Sequence, residues 1–277
     1  MRINTNLNGM IATNQMAKNT ALAGASMEKL STGLRITKAG DDAAGLAVSE
    51  KMRAQIRGME QAERNVQDGI SMVQTAEGAL EEAGNIAQRM RELAVQASNG
   101  TYSEEDRKKI GTEMDQLQQE MEQIATETKF NGNALLDGQN PTFTIQAGAN
   151  TEEREITTVN LTDIAGKLNV DGANGGAISN LDTGTEFKDF IETIDQELEK
   201  INTGRSTLGA MQNRLEATSS NLSTATENLT AAESRIRDVD VAKEMVKLSK
   251  LNILTQASQA MVSQAKQQPE QVTQLLR

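Results

Sequence analysis

The sequence predicts a mainly α protein, an elongated helical coiled-coil bundle built from N- and C-terminal helices, with one small β-hairpin and a Gly-rich loop. Aromatic residues make up only 2% of the 277 residues, too few for the large core of an ordinary globular protein of this length. Only two prolines occur, Pro141 and Pro269, so long helices can run uninterrupted. Apolar residues recur at alternating steps of three and four, which is the spacing of a coiled-coil seam.

The clearest helical stretch spans residues 43–97, and Asp41 or Asp42 can cap its start. Between 62 and 97 its seam consists mostly of Ala, Gly and Met rather than Leu and Ile. Neighbouring helices can therefore approach closely, but each contact buries little apolar area. A second apolar register widens the stripe, so this helix is expected to have several neighbours in a bundle.

The flanking segments predict two more helices. Residues 1–36 carry a thin apolar stripe that would be a marginal helix on its own. Ser103 followed by three acidic residues is typical of a helix start, and the spacing from Ile110 to Thr128 continues that helix. A short loop joins it to the helix of 43–97, so we expect the two to be antiparallel.

The middle of the chain contains the only strand-like pattern. Apolar and polar residues alternate at Phe143, Ile145 and Ala147, and again at Val159 and Leu161, which predicts a β-hairpin at about 140–165. Residues 166–185 are rich in Gly, Asn and Asp and predict an exposed loop.

Heptad spacing resumes near Glu186, changes register at 204–209 (a slip in the heptad pattern) and continues to Val239. This pattern predicts one long helix. A final thin amphipathic segment follows from Val241. Because the two ends of the chain resemble each other, we expect them to pair. We therefore predict an inner domain of residues 1–42 plus 238–277, and an outer helical bundle of residues 43–237.

Composition excludes several classes of site. Cys and His are absent, which removes disulfides, thiolate and imidazole metal sites and the usual catalytic triads. Residues 1–60 carry eight basic against five acidic side chains and 235–277 carry seven against four, so the acid that makes the net charge −11 lies in the middle. This balance argues against nucleic acid as a partner. We also expect no membrane span, because no apolar run is long enough, and no cleaved secretory signal.

Adjacent acidic residues are weak candidates for a catalytic or a metal site. A glycosidase could use pairs such as Glu81 and Glu82, but neighbours on a helix point apart and nothing supplies an opposing acid. Asp41 and Asp42 are too few ligands for calcium, and helix capping explains them better. The sequence therefore predicts no enzyme, no cofactor and no metal.

Six motifs, in order and spread over nearly the whole chain, carry a resemblance to a known family. They are MRINTN at 1–6, LSTGLRI followed by AGDDAAGL at 30–36 and 39–46, QRMRELAVQA at 88–97, FNG at 130–132, SRIRDVD at 234–240 and LLR at 275–277. In these motifs the chain resembles bacterial flagellin, the subunit of the flagellar filament. The resemblance is to a short form, because the large outer domains that many flagellins insert before the last long helix are missing.

The resemblance implies a structural protein that polymerises into an extracellular filament for motility and leaves the cell unfolded through the flagellar export channel. It implies as partners further copies of the chain, a cap protein, the hook-filament junction protein and an export chaperone. It also implies recognition by the flagellin-sensing Toll-like receptor of hosts. The expected receptor or inter-subunit contacts are Arg89, Glu92, Leu93 and Glu113. By spacing alone Leu93 is a bundle-core residue, so both roles stay open for it.

The terminal helices are expected to drive polymerisation, because a thin apolar stripe gains stability when many copies bury it together. The residues expected to do so are the apolar ones of both ends: Ile3, Leu7, Ile11, Leu22, Leu251, Leu254, Met261, Leu275 and Leu276.

Two alternatives stay open at this stage. The hook-filament junction protein shares the terminal helices but forms a single ring. A secreted helical effector or adhesin would instead use its ends as amphipathic helices against a host partner or a membrane. A flagellin carrying a protease insert is excluded, because that site needs His ligands.

Overall fold

The computed structural model describes residues 6–150, 152–168, 178 and 184–275, with side chains described as far as residue 267. Within these residues the chain forms six α-helices and two antiparallel strand pairs. The elements in chain order are α1 Leu7–Thr32, α2 Ala43–Ala97, α3 Glu104–Glu127, β1 Lys129–Phe130, β2 Asn133–Ala134, β3 Thr142–Gln146, β4 Glu153–Thr157, α4 Leu161–Leu168, α5 Gly184–Arg237 and α6 Val241–Leu275. The predicted mainly helical class is confirmed.

The contacts divide the chain into two compact units. Unit 1 comprises Met1–Ile56 and Glu227–Arg277, and unit 2 comprises Arg57–Thr226. The helices α2 and α5 each contribute residues to both units. The functional division into an inner domain of 1–42 plus 238–277 and an outer domain of 43–237 stays a prediction.

Capping residues set the start of several helices. The Asp42 carboxylate accepts a hydrogen bond from the Gly45 amide at 2.9 Å, so Asp42 is the cap of the 55-residue helix α2. Ser103 caps α3, its hydroxyl accepting from the Asp106 amide at 3.3 Å and donating to that carboxylate at 2.7 Å. The predicted caps are thus correct. The helix α5 runs for 54 residues without interruption, so the apparent slip at 204–209 is not a break.

The core of unit 2 is the seam of α2 against its neighbours. Alternating three- and four-residue positions of α2, including Ala76, Ala83, Met90 and Ala97, are almost fully buried. Opposite them, α3 contributes Met114 and Met121, and α5 contributes a longer series of buried apolar residues: Phe187, Phe190, Ile194, Ile201, Leu208, Met211, Leu215 and Leu222. The small residues of α2 therefore let the neighbouring helices approach it closely.

The predicted hairpin is confirmed, with β3 and β4 paired from Thr142 opposite Thr157 to Gln146 opposite Glu153. A smaller pair, β1 with β2, was not anticipated. It is closed by Asn131 and Gly132, whose φ values of 51° and 84° suit the left-handed turn of a two-residue hairpin.

The placement of the second strand was wrong, because Leu161 begins a helix and the strand lies earlier. The Asn160 side chain accepts from the Asp163 amide at 2.9 Å and so starts α4, which also replaces the first residues of the loop predicted at 166–185. Leu161, Ile164, Ala165 and Leu168 share the buried face of this helix. The end of that predicted loop is also helical, since α5 begins at Gly184; most of the rest lies outside the described residues.

Three glycines let the hairpin region sit against the long helices. A Cβ at Gly69 of α2 would overlap Cδ1 of Ile145, and one at Gly204 of α5 would overlap Cγ2 of Val159. A Cβ at Gly58 would lie 3.1 Å from the Ala149 Cα. The Asn65 amide adds a hydrogen bond to the Gln146 carbonyl at 3.2 Å. Glycine at these positions is thus a packing requirement.

Candidate functional site

The helices α1 and α6 pair antiparallel within unit 1 through a seam that contains polar side chains. The only buried described residues of α1 are Asn19 and Ser26. The Asn19 amide donates to the Ser258 hydroxyl at 3.3 Å, and the Asn6 amide donates to the Ala265 carbonyl at 2.6 Å. Polar contacts of this kind within a helix seam fix the register of the two helices.

Beyond α1 the two ends of the chain are tied by backbone. Leu34 and Asp238 form a β-bridge, in which the Arg35 amide donates to the Arg237 carbonyl at 2.6 Å and the Val239 amide donates to the Gly33 carbonyl at 2.9 Å. Gly33 adopts a φ of 72°, the left-handed conformation that ends α1. The side chain of Arg237 then reaches Glu50 at 2.6 Å. These contacts join the C-terminal end of α1 to the chain between α5 and α6, and through Arg237 to the first turns of α2.

Although α6 buries Leu248, Leu251 and Ala265, α1 and α6 leave many other apolar side chains in solvent. Eleven large apolar residues of these two helices are exposed: Leu7, Met10, Ile11, Leu22, Met27, Val241, Met245, Val246, Ile253, Leu254 and Met261. A concentration of exposed apolar residues on one unit is typical of an interaction surface rather than of an isolated soluble domain.

The residues predicted for polymerisation fall into three groups. Leu7, Ile11, Leu22, Leu254 and Met261 are exposed, as a contact between subunits needs. Leu251 is already buried within unit 1. Ile3 and Leu276, and the side chain of Leu275, lie outside the described residues.

A second candidate site is the exposed ion-pair cluster around Arg89 in unit 2. The Arg89 guanidinium on α2 contacts the Glu113 carboxylate on α3 at 3.0 Å and the Glu92 carboxylate at 3.2 Å. Glu113, and to a lesser extent Glu92, raises the pKa of Arg89 above its ordinary value. The structure thus brings together three of the four predicted contact residues, and all three side chains are about half exposed to solvent.

The fourth predicted residue, Leu93, is separated from that surface by burial. Only 2% of Leu93 is exposed, so in the free chain it belongs to the bundle core. Arg91, two residues before it, makes a comparable ion pair on another side of α2, to Asp195 of α5 at 2.6 Å. Sequence reasoning did not find this pair, because nothing local links residues that lie 104 positions apart.

The acidic residues Asp41 and Glu81, which the sequence offers as weak candidates for metal or catalytic sites, make hydrogen bonds and ion pairs within the fold. Asp41 accepts hydrogen bonds from the Thr37 amide and hydroxyl and from the Lys38 amide, and these bonds lower the pKa of its carboxyl group. Glu81 lies 3.9 Å from Arg205 of α5. Among the described residues, no three acidic side chains converge as a metal site would need. No helix in the described part of the chain is both long and apolar enough to cross a membrane.

Comparison with known proteins agrees with this architecture. The structure of a putative flagellar hook-associated protein from Vibrio parahaemolyticus superposes with a TM-score of 0.59 at 12% identity, covering 72% of this chain and 100% of that chain, which shows a shared fold. The crystal structure of Bacillus cereus flagellin superposes with a TM-score of 0.51 at 31% identity, covering 61% of this chain and 94% of that one. The fold is therefore one that this chain shares with a solved flagellin and with a putative flagellar hook-associated protein.

The sequence comparisons are more specific. Residues 3–141 match the family model of the bacterial flagellin N-terminal helical region, and residues 191–276 match that of the C-terminal helical region. A flagellin of Halalkalibacterium halodurans is 54% identical over 100% of both chains. The chain belongs to the bacterial flagellin family. It is a structural subunit that forms the extracellular flagellar filament as a homopolymer, and it is not an enzyme.

Proposed function

We propose that the terminal helices, as an inner domain of residues 1–42 plus 238–277, drive polymerisation by packing their exposed apolar residues against those of neighbouring copies. The observation that carries this proposal is the eleven exposed apolar side chains of α1 and α6. Fully burying one such side chain contributes about 1.5–3 kcal/mol, and these are already partly covered, so about 1 kcal/mol each is a reasonable gain. Association costs about 4–15 kcal/mol. A single contact that covers a few residues is then insufficient, whereas several neighbours per subunit suffice.

Truncation tests the proposal directly. We expect removal of residues 1–36 or 245–277 to abolish growth on filament seeds and to leave the bundle helical, as measured by circular dichroism. Filaments from either truncated chain would contradict the proposal.

A point variant with a neighbouring control gives a sharper test. Ile253→Gln places an amide on an exposed apolar position of α6, and Asn252→Gln makes the same side chain at the exposed polar position beside it. We expect Ile253→Gln to slow seeded growth measured by light scattering, and Asn252→Gln to leave it unchanged. Equal rates would mean that this face is not a subunit contact.

We further propose that the flagellin-sensing Toll-like receptor recognises the Arg89 surface of the unassembled chain, and that the same surface contacts a neighbouring subunit in the filament. The supporting observation is that Arg89, Glu92 and Glu113 form one exposed charged cluster across α2 and α3. Leu93 contributes by holding α2 in place, since its side chain is buried.

The structure offers a matched pair of variants for this test. Arg89→Asp replaces a cross-helix ion pair with repulsion toward Glu113, and Arg91→Asp does the same toward Asp195. Exposed pairs contribute about 0.2–1 kcal/mol, so both variants fold with similar stability. We expect Arg89→Asp to lower both receptor signalling and motility and Arg91→Asp to lower neither. Loss of one activity alone in Arg89→Asp would show that the two surfaces are separate.

Export completes the proposed function. The chain passes unfolded through the flagellar channel, bound beforehand by an export chaperone, and assembles between the junction protein and the cap. A chain without Cys forms no covalent crosslink that would block threading. Fusion to a very stable folded domain is expected to stop secretion into the medium, and normal secretion of such a fusion would refute export in the unfolded state.

A further inference from the structure

The described methionines differ in exposure between the two units. The six methionines of unit 2 are all buried, with at most 8% exposed: Met59, Met72, Met90, Met114, Met121 and Met211. In unit 1, four methionines on α1 and α6 are 50–62% exposed: Met10, Met27, Met245 and Met261. Met16 and Met52 of the same unit are half-buried. With no Cys in the sequence, thioethers are the only sulfur groups available to an oxidant.

We propose that Met10, Met27, Met245 and Met261 form an oxidation site that controls assembly of the free subunit, with a peroxide as the oxidant. A sulfur lone pair attacks one oxygen of hydrogen peroxide, an S–O bond forms as the O–O bond breaks, and the leaving hydroxide takes the proton from the oxygen now bound to sulfur and becomes water. The thioether gains one oxygen and loses two electrons, becoming a sulfoxide, while the peroxide is reduced. Methionine sulfoxide reductases reverse this step.

The consequence for assembly follows from where these four side chains lie, and it rests on the proposed function of the terminal helices. They belong to the exposed apolar set that is proposed to meet neighbouring subunits. A sulfoxide is polar, and burying a polar group without a partner weakens an association by about tenfold or more. Oxidation therefore disfavours joining the filament, while the bundle of unit 2 keeps its buried thioethers and its fold. Once a subunit has joined, its neighbours cover the same sulfur atoms.

Peptide mass spectrometry of the full-length monomer, treated with hydrogen peroxide, tests the site itself without any assembly. We expect sulfoxide at the four exposed methionines well before it forms at Met90, Met114 or Met121. Oxidation of the buried methionines at the same rate would overturn the assignment of the site.

Seeded growth of the same samples tests the effect. We expect growth to slow at least about tenfold after oxidation and to recover after treatment with sulfoxide reductases. A variant with Met→Leu at all four exposed positions keeps growing after peroxide, whereas a control with Met→Leu at Met90 and Met114 stays sensitive. If untreated chain does not polymerise, the proposed function fails. If untreated chain grows and a sample with confirmed sulfoxides grows equally fast, the inference fails.

Discussion

Replacing Gly204 by Ala is expected to destabilise unit 2, although alanine is the better helix former. In the interior of α5, Gly→Ala by itself contributes about 1 kcal/mol of stability. A Cβ at residue 204 would however overlap Cγ2 of Val159 and lie 3.3 Å from its Cβ. A β-branched side chain has little rotamer freedom with which to move away.

Overpacking of this kind costs about 1–3 kcal/mol, so the net effect of Gly204→Ala is a loss of about 0–2 kcal/mol. Gly209 provides the matched control, because it lies in the same helix and a Cβ added there would have no other atom within 4 Å. Gly209→Ala should therefore gain about 0.5–1 kcal/mol.

Urea unfolding followed by circular dichroism measures both free energies, and for a unit of this size the midpoint of thermal unfolding shifts by about 2–4 °C per kcal/mol. The double variant Gly204→Ala with Val159→Ala removes the overlap, so the cycle should show a favourable coupling of about 1 kcal/mol or more. The reasoning is refuted if Gly204→Ala stabilises as much as Gly209→Ala, or if the two substitutions of the double variant are additive.

Two further predictions concern charged pairs. The hydrogen bond from Arg237 lowers the pKa of Glu50, so the stability that this pair contributes is present above the ordinary Glu pKa and is lost as the pH falls through the lowered one. In Arg237→Gln we expect the Glu50 pKa, measured by nuclear magnetic resonance titration, to rise toward its ordinary value, and an unchanged pKa would contradict the role of the pair. Glu197 is 2% exposed and bonded to Lys200 at 2.7 Å, with its second carboxylate oxygen unpartnered in the structure. Lys200→Met leaves this carboxylate buried without its cation and should lower the free energy of unfolding, measured in urea, by roughly 2 kcal/mol. Glu197→Met should change it much less. The reverse order would show that Glu197 is better hydrated than its burial indicates.

The limits of sequence reasoning are clearest at α4 and at Gly204. Asn160 and the spacing from Leu161 to Leu168 are a readable helix signal, but the alternation of two apolar residues equally predicts a strand, because the segment is too short to show a period. The slip at 204–209 is visible in the sequence. The sequence does not show that Gly204 leaves space for the side chain of Val159. That contact joins two elements that are distant along the chain, so only the structure reveals it.

The sequence alone determined the approximate extent of the long helices, the cap at Ser103, a cap at Asp41 or Asp42 and the family, because helix periodicity and capping act within a few residues. Tertiary structure decided which faces those helices bury. The apolar residues of α1 are visible in the sequence, but only the structure shows that Asn19 and Ser26 are buried in this helix while the large apolar residues Leu7, Ile11 and Leu22 face solvent. It also decided that Arg89 meets Glu113 while Leu93 is buried. Such outcomes depend on the register and rotation of one helix against another, which are set by the summed packing of many residues and not by any local pattern.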